Sequence, residues 1–401
     1  MLHNKLKLNN YNLYIFLIYI LWIVSIISYF LLDDFIKAGS LNNGVKFGSD
    51  TKFYLRQVNE ILNGEASILD YKSKLGYIFF LIPFIYFDIP LVIIVFFQLF
   101  LTSISAWCLY KITSKFFCKL SGVICVALFL LYFPIQIRNF YILTEMLFID
   151  ITIILTYFIV SFKKYYLPII IFLIVVLVSI RPNGILFLFS ILAGIFFLLI
   201  RFKKYLLLSS FLAVSTILIF PLTNLLNSYI TDLNLINSLS TKGIIWGWSF
   251  EHNKICENTG IPCLGIEFIN NNYQNNIVDI LKFISVNFIE FSKVFLLKIF
   301  WLLARVRPFY SDLHNYYIII FNIVLYSGFI IGFIKRPKKN FSVQIVMIYM
   351  LFSTILVGLT FADWSGRFSL YFLPLVMIFS SYGVLILIKN IFNYVFNYNK
   401  N

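Results

Sequence analysis

The sequence predicts an all-α polytopic membrane protein, and three observations carry that prediction. Hydrophobic residues fill 61% of the 401 positions, and the mean hydropathy is +0.91. Apolar runs repeatedly approach or exceed the ~20 residues that a helix needs to cross hydrocarbon. The basic residues fall in short loops between those runs, so the net charge of +15 reads as topology rather than as a nucleic-acid footprint.

About ten spans are read, at 11–32, 89–110, 120–137, 146–162, 167–180, 184–200, 205–226, 316–334, 341–361 and 368–388. The first run is too long for a signal-peptide core, and no small-residue cleavage site follows it. With Lys5 and Lys7 in the cytoplasm, so are Lys111, Lys115 and Lys119, then Lys163 and Lys164, then Arg201, Lys203 and Lys204, then Lys335 and Arg336. None of the 17 acidic residues then lies in a cytoplasmic segment. Two loops are left outside, 33–88 and 227–315. The organisation expected is an N-terminal transmembrane module over 1–226, the large loop over 227–315, and C-terminal helices over 316–401. Residues 75–87, short and interrupted by Pro83, are read as a re-entrant or interfacial segment, and 288–304 must stay outside to keep the Lys335 cluster cytoplasmic.

The chain is organised around GSDTKFYLRQVNEILNG, residues 48–64, in the first external loop. Ser49 and Asp50 are good helix N-caps, and Gly64 is a natural stop. Tyr54, Val58, Ile61 and Leu62 recur on one face, which suits a helix lying on the membrane with that face in lipid. Asp50 then serves either as a general base or only as a cap.

Further on, IRNFYILTEMLFID places Arg138 before Glu145 and Asp150, carboxylates near or inside an apolar run where charge is costly. Glu145 is either functional or held at headgroup level beside Arg138; Asp150 has no evident partner. In VSIRPNGIL, Pro182 and Gly184 interrupt the helix, and Arg181 is either a phosphate ligand or a snorkelling headgroup anchor. Lys293, Lys298, Arg305 and Arg307 interrupt the aromatic run 291–317, as expected of a helix on anionic lipid. Asp363 and Arg367 lie between the last two spans, four residues apart. GFIIG at 328–332 fits a close-packing template. Cys256 and Cys263, in the large external loop, are expected to pair, the alternative being two thiols. Cys108, Cys118 and Cys125 read as small core residues. The sequence contains no phosphate-binding loop or dinucleotide fingerprint, and no Cys/His set has zinc spacing.

Four stretches together resemble the GT-C-type membrane glycosyltransferases that use polyprenyl-phosphate sugars, the group that includes protein mannosyltransferases and aminoarabinose transferases. They are GSDTKFYLRQVNEILNG, YILTEMLF, SIRPNG and GRFSLYFLPL, in the family's order from Asp50 to Leu375. Thr51 stands where the protein mannosyltransferases carry Glu, which points away from a protein acceptor. The resemblance implies Asp50 as the base, Arg181 and Arg367 as a phosphate cradle, and Glu145 as a supporting or metal-binding carboxylate. Tyr54, Arg138 and Arg307 complete the expected substrate-binding set. No cofactor is required, although the resemblance leaves room for a divalent ion.

The expected function is inverting transfer of a sugar from a polyprenyl-phosphate donor to an extracytoplasmic glycan or lipid acceptor, in a bacterial inner membrane. An O-antigen-type polymerase or ligase, with a diphosphate-linked donor, is the alternative. A lipid or solute transporter is the other, but it calls for charges along a path across the bilayer and for an internal repeat. The sequence puts its suspicious charges at one face instead. Membrane lipids are the remaining expected partner, and nucleic acid is not one.

Overall fold

The computed structural model describes residues 13–27, 44–68, 71, 74–207, 209, 276–307, 310–337, 340–360 and 366–398. Helices dominate them, and a lone bridge between Lys46 and Tyr141 is their only β-type pairing. Five of these helices are long and apolar enough to cross a membrane, or six if one bent pair counts as a single span. That marks an integral membrane protein, with fewer qualifying helices than the ten spans read from sequence. The reason is local. The runs at 11–32, 146–162 and 167–180 appear as helices Leu13–Ile27, Thr144–Val160 and Leu167–Ile180, each below spanning length as described. Most of 205–226 lies outside the described residues.

The chain divides into two compact units. The first comprises residues 1–188, 323–346 and 370–401. It contains α1 (Leu13–Ile27), α2 (Ser49–Leu62), α3 (Leu75–Tyr86), α4 (Val92–Phe116), α5 (Lys119–Leu130), α6 (Phe133–Gln136), α7 (Thr144–Val160) and α8 (Leu167–Ile180). Its centre is α4, which packs against α5 and α7. A 58° bend separates α5 from the short turn of helix through Phe140, where Pro134 opens α6. At 12 residues α3 is about 18 Å long, well short of a ~30 Å hydrocarbon core. It packs on α2 and α8, with Gly76 letting the backbones approach at Ser179.

The α2 helix corrects two expectations. Its N-cap is Gly48, whose N–H donates to Thr51 Oγ1 at 3.3 Å, so Asp50 is a first-turn residue rather than the cap. Its buried side chains are Thr51, Tyr54, Gln57 and Val58, while Leu62 is exposed. The face of Tyr54 and Val58 therefore packs on protein, with the Tyr54 ring 5.1 Å from that of Tyr77, and does not lie in lipid. Gly64, at φ +75, ends the helix as expected.

The second unit comprises residues 189–322 and 347–369. After α9 (Ile185–Arg201) its described helices are α10 (Ile277–Val286) and α11 (Phe288–Ala304), then part of α12 (Asp312–Ile334) and of α13 (Phe341–Leu359). Asn276 caps α10 by accepting from the Asp279 N–H at 2.9 Å. Ile280, Phe283 and Phe291 form a small core with Phe295 and Leu359. The lipid-facing role expected for the basic residues of α11 is overturned for three of the four. Lys298, Arg305 and Arg307 are buried, and Lys293 alone is exposed, beside Glu290. Lys298 Nζ donates to the Thr360 carbonyl at 2.6 Å, and Arg307 Nη1 donates to the carbonyls of Trp301 and Val306. Lys298 thus serves a carbonyl just beyond the C-terminal end of α13, where the helix itself supplies no partner.

The chain closes with α14 (Arg367–Leu370) and α15 (Leu373–Tyr398), the latter packed on α5. In the first unit Gly328 and Gly332 of α12 lie directly on α15 at Phe379, Ser380 and Gly383, the close packing that GFIIG foreshadows.

Candidate functional site

Three separated stretches meet in the first unit. The α2 helix brings Asp50 and Tyr54, the start of α7 brings Thr144 and Glu145, and the α8–α9 junction brings Arg181. Arg181 is extended, at φ −151 and ψ 138, because Pro182 disfavours a helical residue before it. A short turn of helix over Pro182–Gly184 then restarts the chain, confirming the break read in SIRPNG.

Arg181 Nη1 donates to Glu145 Oε1 at 3.0 Å and to Thr144 Oγ1 at 2.9 Å. The guanidinium also lies over the Tyr371 ring, its Cζ 4.7 Å from the centroid. The two charged side chains keep only 13% and 2% of their exposure, so this is a buried ion pair. Both bland readings are thereby corrected: Glu145 pairs with Arg181 rather than Arg138, and Arg181 does not snorkel.

Tyr54 connects this pair to α2. Its hydroxyl lies beside Thr144 and within electrostatic reach of Glu145, Arg181 and Asp50. Burial first, and then the Glu145 carboxylate, push the Tyr54 hydroxyl well above its ordinary value, so it stays a neutral hydrogen-bonding group. Lys74 Nζ covers the Tyr54 ring at 4.7 Å. Asp50 is half-buried at the open end of the helix, where the first turn favours a negative charge.

Arg138 borders the same region through Tyr141. Its Cζ lies 5.8 Å from the Tyr141 ring centroid, and its buried Nε has no hydrogen-bond partner among the described residues. The strand-like residues leading into α2 run past Tyr141: the Lys46 N–H donates to the Phe140 carbonyl at 2.8 Å. Burial lowers the Lys46 ammonium below its usual value.

Arg307 and Arg367 belong to the second unit. There the turn at Gly366, φ +66, lies against two guanidinium groups: an added methyl would sit 3.6 Å from Arg307 Nη2 and 3.7 Å from Arg305 Nε. Asp363, Cys256 and Cys263 lie outside the described residues. No group of three His, Cys, Asp or Glu suited to a metal occurs among the described residues, and Glu145 is committed to Arg181. Among the described residues, then, no three-ligand set assembles around Glu145.

Thr144 and Tyr371 lie inside YILTEMLF and GRFSLYFLPL, where residue type alone gives neither a role. Their signal was adjacency, Thr144 to Glu145 and Tyr371 to the GRF turn. Comparison with known protein families, characterised proteins and solved structures finds no match to this chain.

Proposed function

We propose that the chain is a GT-C-type membrane glycosyltransferase. It moves a sugar, with inversion, from a polyprenyl-phosphate carrier to an extracytoplasmic glycan or lipid acceptor. In this reading about ten spans place the 33–88 and 227–315 loops outside a bacterial inner membrane. What supports it most is the meeting of Asp50, Tyr54, Glu145 and Arg181, drawn from three stretches that the resemblance rests on.

The chemistry asks little of the protein. Asp50 accepts the proton of the acceptor hydroxyl, and that oxygen forms a bond to the anomeric carbon. The bond from that carbon to the phosphate oxygen breaks, and the lipid phosphate leaves with the electron pair. Phosphate is a good leaving group, so a base and cationic stabilisation of the developing charge suffice. Arg138, at the border of the cluster, is the better placed first-unit cation for that charge, because Arg181 is already neutralised by Glu145. Arg181 holds Glu145, Thr144 and Tyr371 in place for the acceptor side.

The test is transfer by purified protein in lipid vesicles, offered polyprenyl-monophosphate sugars and a mixed glycan acceptor. Release of the lipid phosphate coupled to glycan growth is expected. Turnover only with a diphosphate-linked oligosaccharide would move the protein to the polymerase or ligase class. Solute uptake without any bond cleavage would make it a transporter.

A further inference from the structure

Asp150 is used by nothing above, yet it is a fully buried carboxyl in the middle of α7. Among the described residues its Oδ1 has no hydrogen-bond partner, its Oδ2 meets Thr102 Oγ1 at 3.2 Å, the Ser105 hydroxyl beside the carboxyl donates to the Asp150 backbone carbonyl at 3.4 Å, and no cation pairs with it.

The direction of each proton in this network can be worked out from its far end. Trp22 Nε1, which can only donate, reaches Gln136 Oε1 at 2.9 Å, and Gln136 Nε2 donates to the Phe129 carbonyl at 2.9 Å. Both contacts fix which end of the Gln136 amide is oxygen. Asn139 Nδ2 then donates to that oxygen at 3.3 Å; turned over, it would set two oxygens against each other. Asn139 Oδ1 is thus the atom 3.0 Å from Thr102 Oγ1.

Thr102 has one hydroxyl proton and two oxygen neighbours. Given to Asp150, that proton leaves Asn139 Oδ1 facing bare oxygen, and leaves a buried carboxylate with hydroxyl neighbours, Thr102 and Ser105, and no countercharge among the described residues. Given to Asn139, it leaves the Thr102 oxygen to accept from Asp150, which must then carry a proton on Oδ2. Burial of an unpaired charge costs far more than burial of a neutral acid, so the second arrangement prevails.

We propose that Asp150 is held as a neutral carboxylic acid and acts as a positioning residue for residues 136–141. It is the donor end of a chain running through Thr102, Asn139 and Gln136 to the Phe129 carbonyl. Gln98 Nε2 reinforces the same segment by donating to the carbonyls of Asn139 at 2.8 Å and Tyr141 at 3.1 Å. That segment carries Arg138 and Tyr141 and receives the backbone of Lys46 ahead of Asp50. Its bearing on sugar transfer rests on the function proposed above; the protonation and the positioning do not.

Both are tested on purified full-length protein without any turnover assay. Infrared difference spectra at neutral pH, wild type minus Asp150→Asn, should show the carbonyl stretch of a protonated carboxylic acid that shifts in deuterated buffer. A carboxylate band in its place overturns the proposal. Hydrogen exchange read by mass spectrometry should be about fivefold faster over 136–141 in Asp150→Ala, with α4 and α5 unchanged. Asp150→Asn, whose amide also donates to Thr102, should restore wild-type exchange there. Equal acceleration in both variants, or acceleration spread over α4 and α5, would reduce Asp150 to ordinary packing. A protein that passes both tests yet transfers no sugar sinks the proposed function alone.

Discussion

Removing one partner of the Glu145–Arg181 pair should damage the fold more than removing both. The charges are 3.0 Å apart and almost wholly buried. At an effective dielectric of about 20, that separation gives roughly 5 kcal/mol of attraction. Desolvating the two ions costs several kcal/mol each, so the pair as a whole lies near balance. A single substitution strips a buried charge of the counterion 3.0 Å away, and about 3–5 kcal/mol is the expected loss for either Arg181→Met or Glu145→Gln. The double variant should recover a large part of it, with a coupling energy of about 0.5–3 kcal/mol. Reversible unfolding in mixed micelles measures all four corners of the cycle. Single variants that each cost under about 1 kcal/mol, with additive effects, would refute a buried ion pair. The same logic governs function: lost transfer in Arg181→Ala reports a broken support, whereas Arg181→Lys keeps the charge and should retain part of the activity.

Gly383→Ala should cost about 1–3 kcal/mol, because its added methyl meets the Gly328 backbone, which cannot swing aside; an unchanged unfolding midpoint would contradict that packing. For Lys298, burial pushes the ammonium down to about 8 from its usual 10.5, so between those pH values the unfolded chain binds more protons than the folded one. Stability should rise with pH from 8 to 10 by up to about 1.4 kcal/mol per unit in wild type but not in Lys298→Met, and parallel pH curves would remove the buried ammonium from the account. Cys256 and Cys263 should appear as one disulfide-linked mass after non-reducing digestion of protein from an oxidising compartment, and two alkylated thiols would overturn the pairing.

What the sequence made legible was local. The α2 helix was found within one or two residues of its ends, because a 3.6-residue apolar period and Gly64 mark it. The break at Pro182–Gly184 and the close packing at Gly328 and Gly332 were likewise visible in residue type alone. Which way a face points was not. The apolar stripe of α2 reads the same whether lipid or α3 covers it, and Lys298 reads as a headgroup ligand until Thr360 is seen beside it. The partner of Glu145 was equally hidden, since Arg181 lies 36 residues further on while Arg138 is nearby in the chain. Charge pairs across such separations depend on helix packing that one sequence does not encode by spacing. Fewer than ten described helices qualify as spans for a related reason: runs such as 146–162 and 167–180 form helices of only 17 and 14 residues, α8 stopping ahead of Arg181 and Pro182, short of the ~20 residues a crossing needs.

The most direct test of the central claim is single-turnover sugar transfer by Asp50→Asn from a polyprenyl-phosphate donor, beside its unfolding curve. Gly48, not Asp50, is the N-cap, so the substitution leaves the cap in place while it removes a first-turn charge worth about 0.3–1 kcal/mol, and the protein should fold normally. An amide cannot take up the acceptor proton, and general-base catalysis is worth about 10²–10⁴-fold, so transfer should slow at least about a hundredfold. Near-normal transfer by a normally folded Asp50→Asn protein would contradict the claim that Asp50 is the base.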